Sequence, residues 1–188
     1  MTRALIHEPE ERMTRAEYWA WAERQSSHRF ERIEGVVVAM APERASHNLR
    51  KKSACNVLDA AVRRAGLSYQ VFTDGMTIEV GDSDYEPDAV VRCDGDRLPA
   101  DATAAPDPLV IVEVLSSTTS GVDRGLKLRD YFRVPSLQHY LIVWPETQRI
   151  VRHSRAPGGD IATKVFASGE IVLDPPGLAL PFADFYAD

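Results

Sequence analysis

The sequence predicts an α/β fold on three patterns: two segments with helical spacing and terminal signals in the first half, short β-prone runs joined by acidic-glycine pairs, and two strongly apolar runs separated by a polar helical segment. Taken in order, Thr14 followed three residues later by Glu17 has the form of a capping box. Tyr18, Trp19, Trp21 and Ala22 give that first helix an apolar side, and it should end near Ser26-Ser27. Runs 29–33 and 36–40 read as strands, and the Glu34-Gly35 pair between them signals a hairpin. A second helix is expected over 46–65, with Leu49, Leu58, Ala61, Val62 and Ala65 among polar residues and Gly66 where a C-terminal glycine belongs.

Strands are expected next at 69–73 and 76–80, with Asp74-Gly75 as a second hairpin turn. The acidic stretch 81–86, holding Asp82, Asp84 and Glu86, lacks the glycine and spaced oxygens of a calcium loop and reads as a solvated connection. Pro87-Asp88 then opens a short strand, 89–93. Residues 94–108, rich in Asp, Ala and Pro, read as a surface loop. The run LVIVEVL, 109–115, has the composition of a strand covered on both faces. A helix over about 122–133, a buried strand over 137–144, and short strands and turns through 150–155, 161–167 and 170–173 lead to a closing segment over 181–186.

The 188 residues suit one domain over 1–188, with 44% hydrophobic and 27% charged side chains, an ordinary globular balance. The N-terminal segment is too charged for a signal peptide, and no segment approaches the roughly 20 apolar residues of a membrane span. A cytoplasmic protein is expected. Cys55 and Cys93 lack the paired spacing of a zinc site and read as reduced packing residues. The net charge of −6, 22 basic against 28 acidic side chains, works against nucleic acid, whose affinity comes from phosphate neutralisation. A carboxylate-rich metal site would account for part of that charge, and Arg50-Lys51-Lys52 and Arg63-Arg64 supply local basic clusters.

Glu113 is the first candidate for chemistry, because it interrupts an otherwise apolar strand, where an ionised carboxylate requires a partner or a cation. A buried ion pair would serve as well as a site. Asp88, at the entrance of another strand, supplies a second carboxylate, and two such groups on neighbouring strands form the oxygen cluster that holds Mg²⁺ together with waters. Taken alone, Pro87-Asp88 is a turn signal.

The segments HRFERIEGVVVAMAPERASHNL, YEPDAVV and PDPLVIVEVLSSTTSGVDRGLKLRDYFRVPSLQHYLIV together resemble the Uma-type family of restriction endonucleases within the PD-(D/E)XK nuclease superfamily. The similarity runs from about Thr14 to Arg155. It implies a restriction-endonuclease-like core, a central mixed β-sheet flanked by helices, with the N-terminal helix and β-hairpin as additions. It also implies that Asp88 and Glu113 are metal ligands and that Glu31, from the hairpin, adds an acidic ligand. The superfamily places a lysine two residues after the second acidic residue, where this chain has Leu115. Lys127, on the helix after the Glu113 strand, is the substitute the resemblance implies, orienting the attacking water or stabilising charge in the transition state. Without the resemblance, Lys127 reads as an i,i+4 partner of Asp123. Trp144 stands where the family commonly has an Asp.

Four further residues have both a site reading and an ordinary one. Tyr131 lies four residues after Lys127 and either packs in the core or hydrogen-bonds at the site. His47 sits just inside the second helix, and Ser116 and Thr118 follow the Glu113 strand with hydroxyls suited to phosphate. The expected activity is metal-dependent phosphodiester hydrolysis of nucleic acid, DNA first, with Mg²⁺ or Mn²⁺, no membrane, and a homodimer as a plausible way to cut two strands. The rivals are an inactive nuclease-fold binding or dimerisation module, which the charge, Leu115 and Trp144 favour, and a metal-free hydrolase using Glu113 with a second carboxylate.

Overall fold

Thr14 does cap the first helix: its Oγ1 accepts from the Glu17 N–H at 3.3 Å, while its own N–H donates to Glu17 Oε2 at 2.8 Å. The computed structural model that shows this describes residues 12–25, 29–93, 97–115 and 121–187, and the side chains of all of these except 121–124. Helix α1 spans Arg15–Ala22, shorter than expected; Ser26-Ser27 lie outside the described residues. Its buried Tyr18 donates its hydroxyl proton to the Phe30 carbonyl at 2.6 Å, tying the helix to the first hairpin.

That hairpin is β1 (Phe30–Ile33) and β2 (Val36–Ala39), antiparallel about Glu34-Gly35, both of which adopt positive φ. Helix α2 (Ala45–Arg64) follows, then β3 (Gln70–Thr73), β4 (Ile78–Val80), β5 (Ser83–Tyr85), β6 (Ala89–Arg92) and β7 (Pro108–Val114). Helix α3 (Gly121–Tyr131) connects β7 to its parallel neighbour β8 (His139–Trp144). Parallel strands need such a crossover. The chain then runs through β9 (Arg149–Arg155), β10 (Ile161–Phe166), β11 (Glu170–Leu173) and β12 (Leu178–Pro181) to a short 3₁₀ turn at Phe182–Phe185.

A six-stranded sheet in the order β10-β9-β8-β7-β6-β3 forms the centre, mixed because β7 and β8 alone pair in parallel. The four-stranded sheet β2-β1-β5-β4 and the β11-β12 hairpin flank it. Alternation along β7 sends Val110, Val112 and Val114 to the face covered by α2, β11 and β12, and Ile111 to the face carrying Tyr85, Tyr131, Tyr140 and Ile78. Glu113 has the parity of Ile111, so it belongs to the α3 side. Among the described residues, no helix is long and apolar enough to cross a membrane.

Three expectations are corrected here. Asp74-Gly75 is not a hairpin turn: β3 pairs with β6, and β4 pairs with β5 in the other sheet. The local turn chemistry is real, with Gly75 at φ +102°, but Ile78 and Val80 pack with Val90, Ile111, Tyr131 and Tyr140 on the α3-side face of the central sheet, so the chain crosses over into the second sheet rather than doubling back. The stretch 81–86 is not a solvated loop either, since it contains β5, and Asp84 is buried against Arg32 Nε at 2.5 Å and Arg15 Nε at 2.6 Å. Finally, Cys93 is exposed rather than a packing residue, because it falls just past the end of β6, while Cys55 is half-buried; both are free.

Candidate active site

Glu113 is tolerated in its apolar strand because two groups from one face of α3 reach it. Lys127 Nζ lies 3.0 Å from Glu113 Oε1, and the Tyr131 hydroxyl donates to the same oxygen at 2.8 Å. The i,i+4 spacing on α3 is what lets both act together. Lys127 Nζ also donates to Glu31 Oε1 at 2.9 Å, an oxygen that further accepts the Glu86 N–H at 2.9 Å. One buried ammonium, 5.6 Å from the centre of the Tyr85 ring, is therefore divided between carboxylates from β1 and β7. Tyr131 is fully buried in the core and hydrogen-bonds at the site, so its two readings hold together.

Asp88 sits beside this group at the start of β6. Its N–H donates to the Val112 carbonyl at 3.1 Å, and its Oδ2 accepts the Val114 N–H at 2.6 Å. Its other oxygen, Oδ1, lies 2.8 Å from Lys51 Nζ. His47 Nε2 is 2.8 Å from the Val114 carbonyl. That oxygen can only accept, so Nε2 carries the proton.

Lys51 leads to residues that sequence reasoning missed. Besides Asp88 it contacts Asp74 Oδ2 at 3.1 Å and Glu43 Oε1 in a short ion pair. Among the described residues, the acidic trio whose oxygens all lie within 4.8 Å of one another is Glu43, Asp74 and Asp88. Arg29 clamps Asp74 from outside at 2.5 and 2.6 Å and pairs with Glu86. A signal for Lys51 was available: it precedes Ala54 by three and Leu58 by seven, on the buried stripe of α2, and a lysine on an apolar stripe needs a buried partner. The Asp74 signal was masked by its turn-like neighbour. Glu43 has none.

The electrostatics are acid-rich. Burial pushes the Glu113 carboxyl up to about 7; Lys127 opposes this, while Asp88 and Glu31 reinforce it by like-charge repulsion. Burial likewise raises Asp88, against the pull of Lys51 and the Val114 N–H. At Asp74 burial is outweighed by the Arg29 hydrogen bond and by Lys51, so its carboxyl is held below the usual range. Lys51 is raised, the attraction of Asp88 and the bonds to Asp88 and Glu43 overcoming the cost of burial.

The structure thus joins Glu31, Glu113 and Lys127 directly, with Asp88 alongside and anchored from α2. Ser116 and Thr118 lie outside the described residues, as does the Asp123 side chain. Leu115 is buried in the apolar cluster on the α3 side, so an ammonium there would have no place in that packing. Trp144 is half-buried at the end of β8 and also packs against that cluster.

The central mixed sheet and the helix that crosses between its parallel strands β7 and β8 define a mixed α/β fold. A solved chain from Anabaena variabilis ATCC 29413, described as "a putative nuclease belonging to DUF820", superposes with a TM-score of 0.75, covering 93% of this chain and 97% of that one at 17% identity. At that identity the likeness establishes the fold alone. The chain belongs to the Uma2 family, described as "Putative restriction endonuclease", which it matches over residues 15–183. Two relatives come from Synechocystis sp. The uncharacterized protein slr1290 is 30% identical over 186 residues, 91% of this chain and 90% of the relative. The uncharacterized protein sll1609 is 28% identical over 134 residues, 70% of this chain and 74% of the relative.

Proposed function

We propose that this protein hydrolyses phosphodiester bonds of nucleic acid, DNA in the first instance, with Mg²⁺ or Mn²⁺ as cofactor. The observation that carries the reading is the buried Lys127 ammonium shared by Glu31 and Glu113, with Asp88 held beside them. The donor set fits a divalent cation: the carboxylates offer hard oxygens, and the raised Glu113 and Asp88 carboxyls mark an acid excess that a cation would relieve. Asp88 would hold it with Glu113 and Glu31, whose oxygens would have to draw in around it, since among the described residues the acidic trio within 4.8 Å is Glu43, Asp74 and Asp88. When bound, such a cation eases deprotonation of the attacking water and screens the phosphate.

The remaining roles belong to this chain's own residues. Tyr131 fixes the Glu113 carboxylate through its 2.8 Å hydrogen bond, so the oxygen facing Lys127 does not rotate away. The Val114 N–H and Lys51 hold the two Asp88 oxygens, and His47 braces the Val114 peptide from its carbonyl side. The Lys127 ammonium, poised in a water-poor setting, stabilises negative charge that grows on the phosphate as the bond to the leaving oxygen breaks. Two copies would supply the two sites that cutting both strands of a duplex requires, so a homodimer is part of this reading.

Cleavage of plasmid and single-stranded DNA with Mn²⁺ tests it, alongside calorimetric titration of Mn²⁺. The native protein should cut and bind; Glu113→Gln should not cut, and Asp88→Ala should bind Mn²⁺ far more weakly. Equal Mn²⁺ binding by native protein and Asp88→Ala would show the ligands to be misassigned. An inactive binding module is the second reading, favoured by Leu115 being buried apolar surface at the superfamily's lysine position. Native protein that binds DNA and leaves it intact with either metal would select that module.

A further inference from the structure

One groove on the surface adjoins the site without belonging to it. It encloses about 350 Å³ between α2 and the end of β3, and its lining includes Asn48, Lys51, Lys52 and Asn56 from the helix, Thr73 from the strand and Asp74 from the turn after it. Asn48, Lys52 and Asn56 recur every fourth residue, so they form one row along α2 with about 6 Å of rise between neighbours. All three are exposed. The row presents amide, ammonium and amide, each of which offers a donor. Among the described residues the one carboxylate in the lining, Asp74, pairs with Arg29 and Lys51.

We infer that this groove seats the sugar-phosphate backbone of the nucleic-acid strand next to the bond being cut, with Lys52 contacting a phosphate and Asn48 and Asn56 flanking it. The inference rests on the phosphodiesterase reading above and assigns the substrate its path. Lys51 is the shared wall: it lines the groove, and its Nζ lies 2.8 Å from Asp88 Oδ1, so the Lys51 side chain stands between a strand lying in the groove and the buried Asp88. No aromatic side chain lines the groove among the described residues, which removes the stacking platform that base recognition on a single strand uses. Donors without aromatics contact backbone, and such contacts set position rather than sequence. On a chain of net charge −6, a local row of donors beside the carboxylates also gives the phosphates an attractive approach that the overall charge denies them.

The test is fluorescence anisotropy of a labelled DNA oligonucleotide with Ca²⁺ replacing Mn²⁺, comparing native protein with Lys52→Glu, the double variant Asn48→Ala/Asn56→Ala, and Lys164→Glu. Lys164 lies on β10, at the edge of the six-stranded sheet opposite β3, and reports long-range charge alone. Lys52→Glu should weaken binding about tenfold and lower the salt dependence by about one phosphate contact. The double variant should weaken binding with no change in net charge, and Lys164→Glu should bind as the native protein does. A second readout is alkylation of Cys55, which also lines the groove, in a Cys93→Ser background: the oligonucleotide should slow it. Native affinity in both groove variants, or equal losses in Lys52→Glu and Lys164→Glu, would overturn the groove assignment while leaving the cleavage site standing. Failure of the native protein to bind any oligonucleotide would overturn both.

Discussion

The network around Asp84 and Asp130 and the network around Glu113 and Asp88 are both buried and charged, yet they balance acid against base in opposite ways. Asp84 meets two arginines, Arg32 at 2.5 Å and Arg15 at 2.6 Å. Asp130 meets Arg129 at 2.9 Å and Arg133 at 3.5 Å, and accepts the Tyr85 hydroxyl at 2.7 Å. In the other network Glu31 and Glu113 divide the single Lys127, while Glu43, Asp74 and Asp88 converge on Lys51. Their pKa shifts follow: at Asp130 burial is outweighed by bonds from Arg129 and Tyr85, holding the carboxyl low, whereas burial and like charge hold Glu113 high. Buried acid alone therefore does not mark a site. What sets the proposed site apart, among the described residues, is a carboxyl at Glu113 held high by burial and like charge.

The largest effect should come from breaking the balanced network. Arg32→Ala leaves Asp84 buried with one cation fewer and strips a donor from the Met13 carbonyl, so denaturant unfolding should show a loss of about 3–5 kcal/mol, the usual cost of removing one partner of a buried pair. A loss under 1 kcal/mol would place Asp84 in the same acid-tolerant class as Glu113 and dissolve the contrast.

The next test separates stability from catalysis at Lys127. A position on the helix surface would make this lysine dispensable for folding, but only 7% of it is exposed, and Lys127→Ala leaves two carboxylates without their ammonium. Lys127→Ala should therefore lower the melting temperature and also slow DNA cleavage by about 10²–10³-fold. Adding Glu113→Gln to that variant removes one of the stranded charges, so it should restore part of the melting temperature and none of the cleavage. Recovery of cleavage in the double variant would assign Lys127 a purely structural role.

The smallest effect is a pH dependence read at Asp130, in the balanced network. Because the folded protein holds Asp130 below its unfolded value of about 3.9, its contribution to stability is present above that value and is lost as the pH falls through the folded pKa. The melting-temperature gap between native protein and Asp130→Asn should thus be full at pH 7 and shrink below about pH 4. A gap that widens on acidification would reverse the assigned direction.

Much of the molecule was legible in the sequence because it depends on short-range rules. The capping box at Thr14, the Glu34-Gly35 hairpin, the stripe of α2 and the apolar β7 are local patterns, and each formed as its pattern requires. Glu113 stood out for the same reason: a carboxylate inside LVIVEVL is anomalous whatever surrounds it. The Uma-type resemblance added Glu31 and Lys127, and the structure brings these two together with Glu113.

Tertiary structure decided which charges meet. Asp74-Gly75 has the composition of a hairpin turn, and only the pairing of β3 with β6 and of β4 with β5 placed Asp74 beside Lys51 and the start of β6. Asp84 looked like one more acid in a solvated run until β5 took it under Arg32. Glu43, Lys51, Asp74 and Asp88 come from separate elements, so no local period links them. Secondary-structure signals act over a few residues, whereas the partner of a buried charge is chosen by sheet order and helix packing, and those are settled by where apolar faces find cover across the whole chain.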